Sequence, residues 1–209
     1  MELKKDENFY RTIFEKSAVG ESVVGLDGRW LEVNSRLCEI TGYSKKELLS
    51  KNFADITHPE DIKRSNEARK NLASGKMDYI TIEKKYIRKD KNIVWVLLSI
   101  TLARDDSKKP EYFIVHTQDI TTIKKTEQQL ADLRNKYRAI IEKGNDGIVI
   151  IQDFLTKFAN ARMIELSGYG TKDLQAMPFL KFIAPEFIDL VKKNYIDRVA
   201  GKKLKIGTN

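Results

Sequence analysis

The chain has 209 residues, 41% hydrophobic and 33% charged, the balance of a globular protein with room for one or two small domains. No apolar run reaches the length of a bilayer-spanning helix and the first residues lack an apolar signal core, so a cytoplasmic location and no membrane contact are expected of this segment. One cysteine, Cys38, and two histidines, His58 and His116, exclude an internal disulfide framework and fit no zinc spacing. The formal charge of +8 is spread as lysine pairs beside acids, not as a phosphate-tracking stripe, so no nucleic acid partner is expected.

Residues 6–17 place Phe9, Tyr10, Ile13 and Phe14 on one face of an N-terminal helix. Residues 21–33 read as a hairpin whose turn, Asp27-Gly28, supplies positive φ values. Three short helices follow. Asn34 caps the first, Ser44-Lys-Lys-Glu47 is a capping box for the second, and Thr57-His-Pro-Glu60 is a capping box for the third, which runs to about Ala73 and stops before Gly75. Three strands come next, over 79–87, 93–102 and 112–118. The expected fold is α+β, a five-stranded antiparallel sheet with short helices on one face.

Residues 121–143 contain neither Gly nor Pro. Ile123, Leu130 and Tyr137 recur every seven residues, and Thr126, Leu133 and Ile140 form the partner series. This is a short coiled-coil seam, which an amphipathic helix packed on its own domain would also explain. It makes a homodimer through the connecting helix, the N-terminal helix or both the expected assembly.

The chain also repeats itself. Asn34-Ser-Arg-Leu-Cys-Glu-Ile-Thr-Gly-Tyr43 returns as Asn160-Ala-Arg-Met-Ile-Glu-Leu-Ser-Gly-Tyr169, and the match runs on through Phe53/Phe179, Pro59/Pro185 and Gly75/Gly201. Tyr10-Arg-Thr-Ile-Phe-Glu-Lys16 matches Tyr137-Arg-Ala-Ile-Ile-Glu-Lys143, with one residue lost in the second copy near the Asp27-Gly28 turn. The second copy stops where its later strands should begin, as expected of a piece cut from a longer protein. The expected organisation is an N-terminal helix (1–17), a complete first domain (18–120), a connecting helix (121–143) and a partial second copy (144–209).

The order of elements, with Asp27-Gly28, Asn34, Thr41-Gly-Tyr-Ser44, Glu47-Leu48, His58-Pro-Glu-Asp61, Trp95 and Asp119-Ile-Thr121, resembles the PAS domain, the sensory box with its C-terminal PAC motif, of bacterial and archaeal sensor proteins. The second copy departs from it, with Ala184-Pro-Glu-Phe187 in place of His58-Pro-Glu-Asp61 and no glycine in its hairpin. The resemblance implies small-molecule sensing, dimerisation and relay to an output, a histidine kinase first and a diguanylate cyclase next. The competing expectation is a dimerisation module of a transcriptional regulator with no ligand.

For cofactors, the resemblance argues against two. Heme-binding members present a histidine from the long helix, and none stands between Asp61 and Ala73; photoactive flavin members carry a cysteine where this chain has Phe53. The cofactor is otherwise unknown. No catalytic or metal-ligating constellation stands out, so the segment is not expected to be an enzyme.

Between helices and sheet, the lining candidates are Val24, Val33, Leu37, Ile40, Leu48, Phe53, Ile56, Ile82, Leu97, Phe113, Val115 and Thr117, with Ser99 and Thr117 as polar members. They describe either a filled core or a cavity for a small, largely apolar ligand. Asp119, Ile120 and Thr121 are the candidates for coupling the sheet to the connecting helix, with Asp119 placed to satisfy free amides at the helix start.

Overall fold

The computed structural model describes residues 7–202. They form two compact units, the division falling between Gln128 and Gln129 inside one helix.

In the first unit, α1 (Glu7–Lys16) leads into β1 (Gly20–Gly25) and β2 (Trp30–Val33). Their connection is longer than a two-residue turn: the Gly25 amide donates to the Arg29 carbonyl at 2.8 Å around residues 26–28, of which only Gly28 has positive φ, at 89°, and Asp27 accepts the Arg29 amide on Oδ1 at 3.0 Å. Then come α2 (Ser35–Thr41), α3 (Lys45–Leu49), α4 (Phe53–Ile56) and α5 (Pro59–Ala73), followed by β3 (Tyr79–Ile87), β4 (Ile93–Arg104) and β5 (Pro110–Asp119). All five strands join one antiparallel sheet in the order β2-β1-β5-β4-β3.

Side chains on a strand alternate between faces, and the burial does so here. Ser22 and Val24 on β1, Phe113, Val115 and Thr117 on β5, Val94, Val96 and Leu98 on β4, and Ile82, Lys84 and Tyr86 on β3 are all buried on one face. Helix α2 packs on β1, α3 on β2, and α5 across β3 and β4, closing that face.

There are four short helices, not the three expected. The extra one, α4, starts at a capping box of Asn52 and Asp55, in which Asn52 Oδ1 accepts the Ala54 amide and Asp55 Oδ2 accepts the Asn52 amide. The expected box at Ser44 and Glu47 is present. The one expected at Thr57 is absent. The Thr57 hydroxyl donates to the Phe53 carbonyl at 2.8 Å, and α5 starts from His58, which makes no side-chain cap, with Pro59 in the first turn.

Asn34 holds the entry to the helical layer. Its Oδ1 accepts the amides of Glu21 and Leu37, and its Nδ2 donates to the carbonyls of Phe14 and Val19, so one buried side chain ties α1, β1 and α2.

Helix α6 (Thr121–Lys143) contains the division between the units and has no buried residue. The second unit continues with β6 (Val149–Gln152), β7 (Leu155–Ala159), α7 (Ala161–Ser167), α8 (Thr171–Ala176), two 3-10 turns (Phe179–Phe182 and Pro185–Phe187) and α9 (Ile188–Val199). Strands β6 and β7 form a two-stranded sheet, and Leu155 of β7 also makes an isolated bridge with Pro178.

Candidate functional site

Where α5 crosses the sheet of the first unit, the core does not close. A cavity of about 50 Å³, partly open to solvent, is lined by Val24, Phe53, Leu98, Ile100, Phe113 and Val115 on the apolar side. Its polar lining is Ser22, Trp30, Ser65, Arg69, Lys84 and Tyr86. That volume has room for several waters or a small organic molecule. A heme or a flavin would require it to open.

Lys84 dominates the site. It stands on β3 between Ile82 and Tyr86, so strand alternation aims it inward, and only 2% of it is exposed. Its Nζ donates to Thr57 Oγ1 at 3.2 Å and Ser65 Oγ at 3.3 Å. Both hydroxyls use their own protons elsewhere, Thr57 toward the Phe53 carbonyl and Ser65 toward the Asp61 carbonyl, so each offers Lys84 a lone pair. The third ammonium proton has no hydrogen-bond acceptor among the described residues. The cation also lies 4.9 Å from the Phe53 ring centre and 4.8 Å from that of Tyr86.

No carboxylate forms an ion pair with Lys84 among the described residues. Burial pushes its ammonium down to about 7, the Asp61 carboxylate pulls it back up, and Arg64 presses it down again. Asp61 is engaged otherwise, with Oδ2 accepting the Lys85 amide at 2.8 Å and Oδ1 accepting from Arg64 at 3.1 Å. Burial likewise pushes the Tyr86 phenol up.

Two further donors belong to the cavity. Trp30 is 4% exposed and its indole N–H is buried without an acceptor. Arg69 is half-buried on α5, with its guanidinium 5.4 Å from the Phe53 ring centre. It lies against Gly28, where a β-carbon would come within 2.7 Å of Arg69 Nη1 and 2.8 Å of Phe53 Cε1.

Of the sequence candidates, Val24, Phe53, Phe113 and Val115 line this cavity. Val33, Leu37, Ile40, Leu48 and Ile56 are buried in the filled part of the core. Ile82 and Thr117 are buried without lining it. Leu97 and Ser99 are misplaced: Ile82 pairs with Leu98, so Leu98 shares its face and the odd-numbered residues of β4 point to the opposite one. The polar lining expected from Ser99 and Thr117 is supplied instead by Ser22, Trp30, Ser65, Arg69, Lys84 and Tyr86. The signal for Lys84 was present, since an inward Ile82 turns Lys84 and Tyr86 inward too; a lysine on a strand reads as solvated by default.

The junction to α6 is zipped onto β4. The Ile120 amide donates to the Trp95 carbonyl at 2.9 Å, the Trp95 amide donates to Thr121 Oγ1 at 3.0 Å, and Asp119 Oδ1 accepts the Thr121 amide at 2.8 Å. Ile120 is buried. Lys124, one turn on, pairs with Glu83 at 2.7 Å and lies 5.8 Å from the Trp95 ring centre. The seam residues Ile123, Leu130, Leu133, Tyr137 and Ile140 are all exposed, while the Thr126 hydroxyl bonds the Thr122 carbonyl of its own helix. His58 Nδ1 is buried without a hydrogen bond, and His116, with its side chain 49% exposed, faces away from the cavity.

Residues 31–117 match the family model described as PAS fold, and residues 135–198 match the one described as PAS domain. The chain is 35% identical over 146 residues to the probable diguanylate cyclase DgcE of Escherichia coli (strain K12), covering 70% of this chain and 13% of that protein. It is 26% identical over 135 residues to the sensor histidine kinase TmoS of Ectopseudomonas mendocina, covering 64% of this chain and 14% of that protein. The chain thus spans a small part of the length of these curated relatives. Among solved structures, a PAS domain from Colwellia psychrerythraea aligns with TM-score 0.52 and 17% identity, over 55% of this chain and 97% of that one. An RNA-binding light-oxygen-voltage receptor aligns with TM-score 0.55 and 18% identity, over 65% of this chain and 40% of that one. At those identities the structures speak to the fold alone, and they agree with the five-stranded sheet and its helical layer. The two matched segments make up more than half of the chain, and the chain belongs to the PAS family, whose domains serve as sensory modules in signalling proteins.

Proposed function

We propose that the first domain senses a small molecule in the cavity beneath α5 and relays its occupancy through α6 to an output domain of a cytoplasmic signalling protein. The observation that carries this reading is the path of one strand. Phe113 and Val115 of β5 line the cavity, and the same strand runs through Asp119, Ile120 and Thr121 into α6. A ligand that moves β5 moves a junction held by three hydrogen bonds to β4 and within itself.

The exposed seam of α6 supports a second element of the reading, a parallel homodimer. Five apolar side chains on a helix with no buried residue are the pattern of a helix covered by a like helix. The two curated relatives support a diguanylate cyclase or a histidine kinase as the output, the first at the higher identity. The chain is sensory in this reading and performs no catalysis.

Paired native and denaturing mass spectrometry of the purified chain, with an absorbance scan, tests it. Sensing predicts an added mass lost on denaturation and a dimer that Leu130→Asp dissociates. A chain of bare mass, with no cavity response to added small molecules and a monomer at all concentrations, would overturn it.

A further inference from the structure

The sensing reading leaves the ligand unnamed, and the cavity's hydrogen-bonding inventory narrows it. The lining offers donors in excess. Lys84 has one unused proton, the Trp30 indole N–H has no acceptor, and the Arg69 guanidinium stands over Phe53. An indole and a guanidinium accept nothing, and the Ser65 hydroxyl is already committed on both sides. The Ser22 and Tyr86 hydroxyls also line the cavity and can give or take a hydrogen bond, but the unpartnered donors at Lys84, Trp30 and Arg69 call for an acceptor, and the buried cation favours an anionic one. Around this polar end the walls are Val24, Leu98, Ile100, Phe113 and Val115, which suit an apolar body.

The second copy replaces several of the groups around this polar end. At the positions matching Thr57, Ser65, Arg69 and Trp30 it has Ile183, Val191, Tyr195 and Thr156. Phe154 stands where Gly28 does, and packs on Phe179 at 6.2 Å and Tyr195 at 4.6 Å between ring centres. The place held in the first copy by a glycine, Phe53 and a guanidinium is filled there by three aromatic rings. The helical layer forms there without the Arg69 guanidinium or the Trp30 indole, so in the first domain these two serve something other than folding.

Resting on the sensing reading, we propose that the ligand of the first domain is a small monocarboxylate with an apolar body, its carboxylate held by Lys84, the Trp30 indole N–H and Arg69. The charged groups that face Lys84 from α5 are Asp61, Arg64 and Arg69, and Tyr86 flanks it on β3. Asp61 is satisfied by the Lys85 amide and Arg64, so it does not compete for the site. A carboxylate stabilises the charged form of Lys84. Binding is therefore strongest where free Lys84 is protonated and weakens about tenfold per pH unit above about 7.

The test is titration of the intact chain with butyrate, isobutyrate and benzoate, each against its primary amide and the corresponding amine, read on the indole N–H resonances. The chain has two tryptophans, Trp30 and Trp95, so Trp95→Phe assigns the signal. The proposal expects the Trp30 resonance to shift saturably with at least one acid, at least tenfold tighter than with its amide, and the acid preference to vanish in Lys84→Met. Arg69→Gln, at the partly exposed rim, should weaken the acid alone and serves if Lys84→Met does not fold. Amides or amines binding as well as acids, or a co-purified ligand that is not a carboxylate, would overturn this inference and leave sensing intact. No response from any of the three classes, with no co-purified mass, would overturn both.

Discussion

The two copies share a scaffold and differ in what they place inside it. Asn160 repeats the bonds of Asn34 one for one, with Oδ1 accepting the amides of Ile148 and Met163 and Nδ2 donating to the carbonyls of Ile141 and Asp146. Glu142 repeats Glu15, each accepting the first amide of the following helix, from Ala161 and Ser35. The C-caps match too, with Gly42 and Gly168 at φ 75° and 70°. Three polar groups of the cavity do not repeat, Trp30, Ser65 and Arg69 giving way to Thr156, Val191 and Tyr195. What recurs is what the fold needs; Arg69 and Trp30, replaced by Tyr195 and Thr156, mark what the first copy does alone.

The comparison breaks first at the shared hub. Asn34→Ala deletes four hydrogen bonds and leaves buried amides and carbonyls without partners. It should cost about 4 kcal/mol in urea unfolding of the first domain, and Asn160→Ala should act comparably on the second unit. A loss under about 1 kcal/mol in either would show that the hub is not structural.

Lys84→Met should do the opposite. Free Lys84 is held near 7 in the fold against 10.5 when unfolded, so between those values the unfolded chain binds more protons. Stability then rises as pH goes from about 7 toward 10.5, and below 7 the penalty is at its full size. Thr57 and Ser65 keep their other hydrogen bonds when Lys84 is gone. The variant should be on the order of 2–4 kcal/mol more stable at neutral pH and lose the rise at alkaline pH, by thermal unfolding across that range.

Much of the scaffold was legible in the sequence because its signals are local. The Ser44-Glu47 box, the glycine stops and the strand periods all lie within a few residues of what they specify. Asn52 and Asp55 carried the same kind of signal for α4, and their spacing went unread. Four of the proposed pocket residues line the cavity, but its polar half was missed because it is assembled by register between distant segments. Leu97 and Ser99 fell on the wrong face for want of one pairing, Ile82 with Leu98. Trp30 and Arg69 come from β2 and α5, and no spacing brings them to Lys84.

Gly28→Ala sharpens the contrast at the cavity rim. The β-carbon would meet Arg69, Asn52 and Phe53 within 2.8 Å at a positive φ, so about 1–2 kcal/mol of stability should be lost together with acid binding. The smallest effect is expected at α3. Ser44→Ala removes one half of a capping box and should cost about 1 kcal/mol. Lys89 and the Ser44 amide hold the Glu47 carboxyl down to about 2, so its contribution is present above 4.5 and fades as pH falls toward 2. Acid unfolding of Glu47→Gln should lack that component.

The central claim is that Lys84 is a buried cation awaiting an acid. Lysine side-chain NMR of the full chain, titrated with pH in the absence and presence of saturating benzoate, reads it directly. The account predicts one lysine, absent in Lys84→Met, that titrates near 7 and moves upward when benzoate binds. A Lys84 that titrates near 10.5 and ignores benzoate would contradict it.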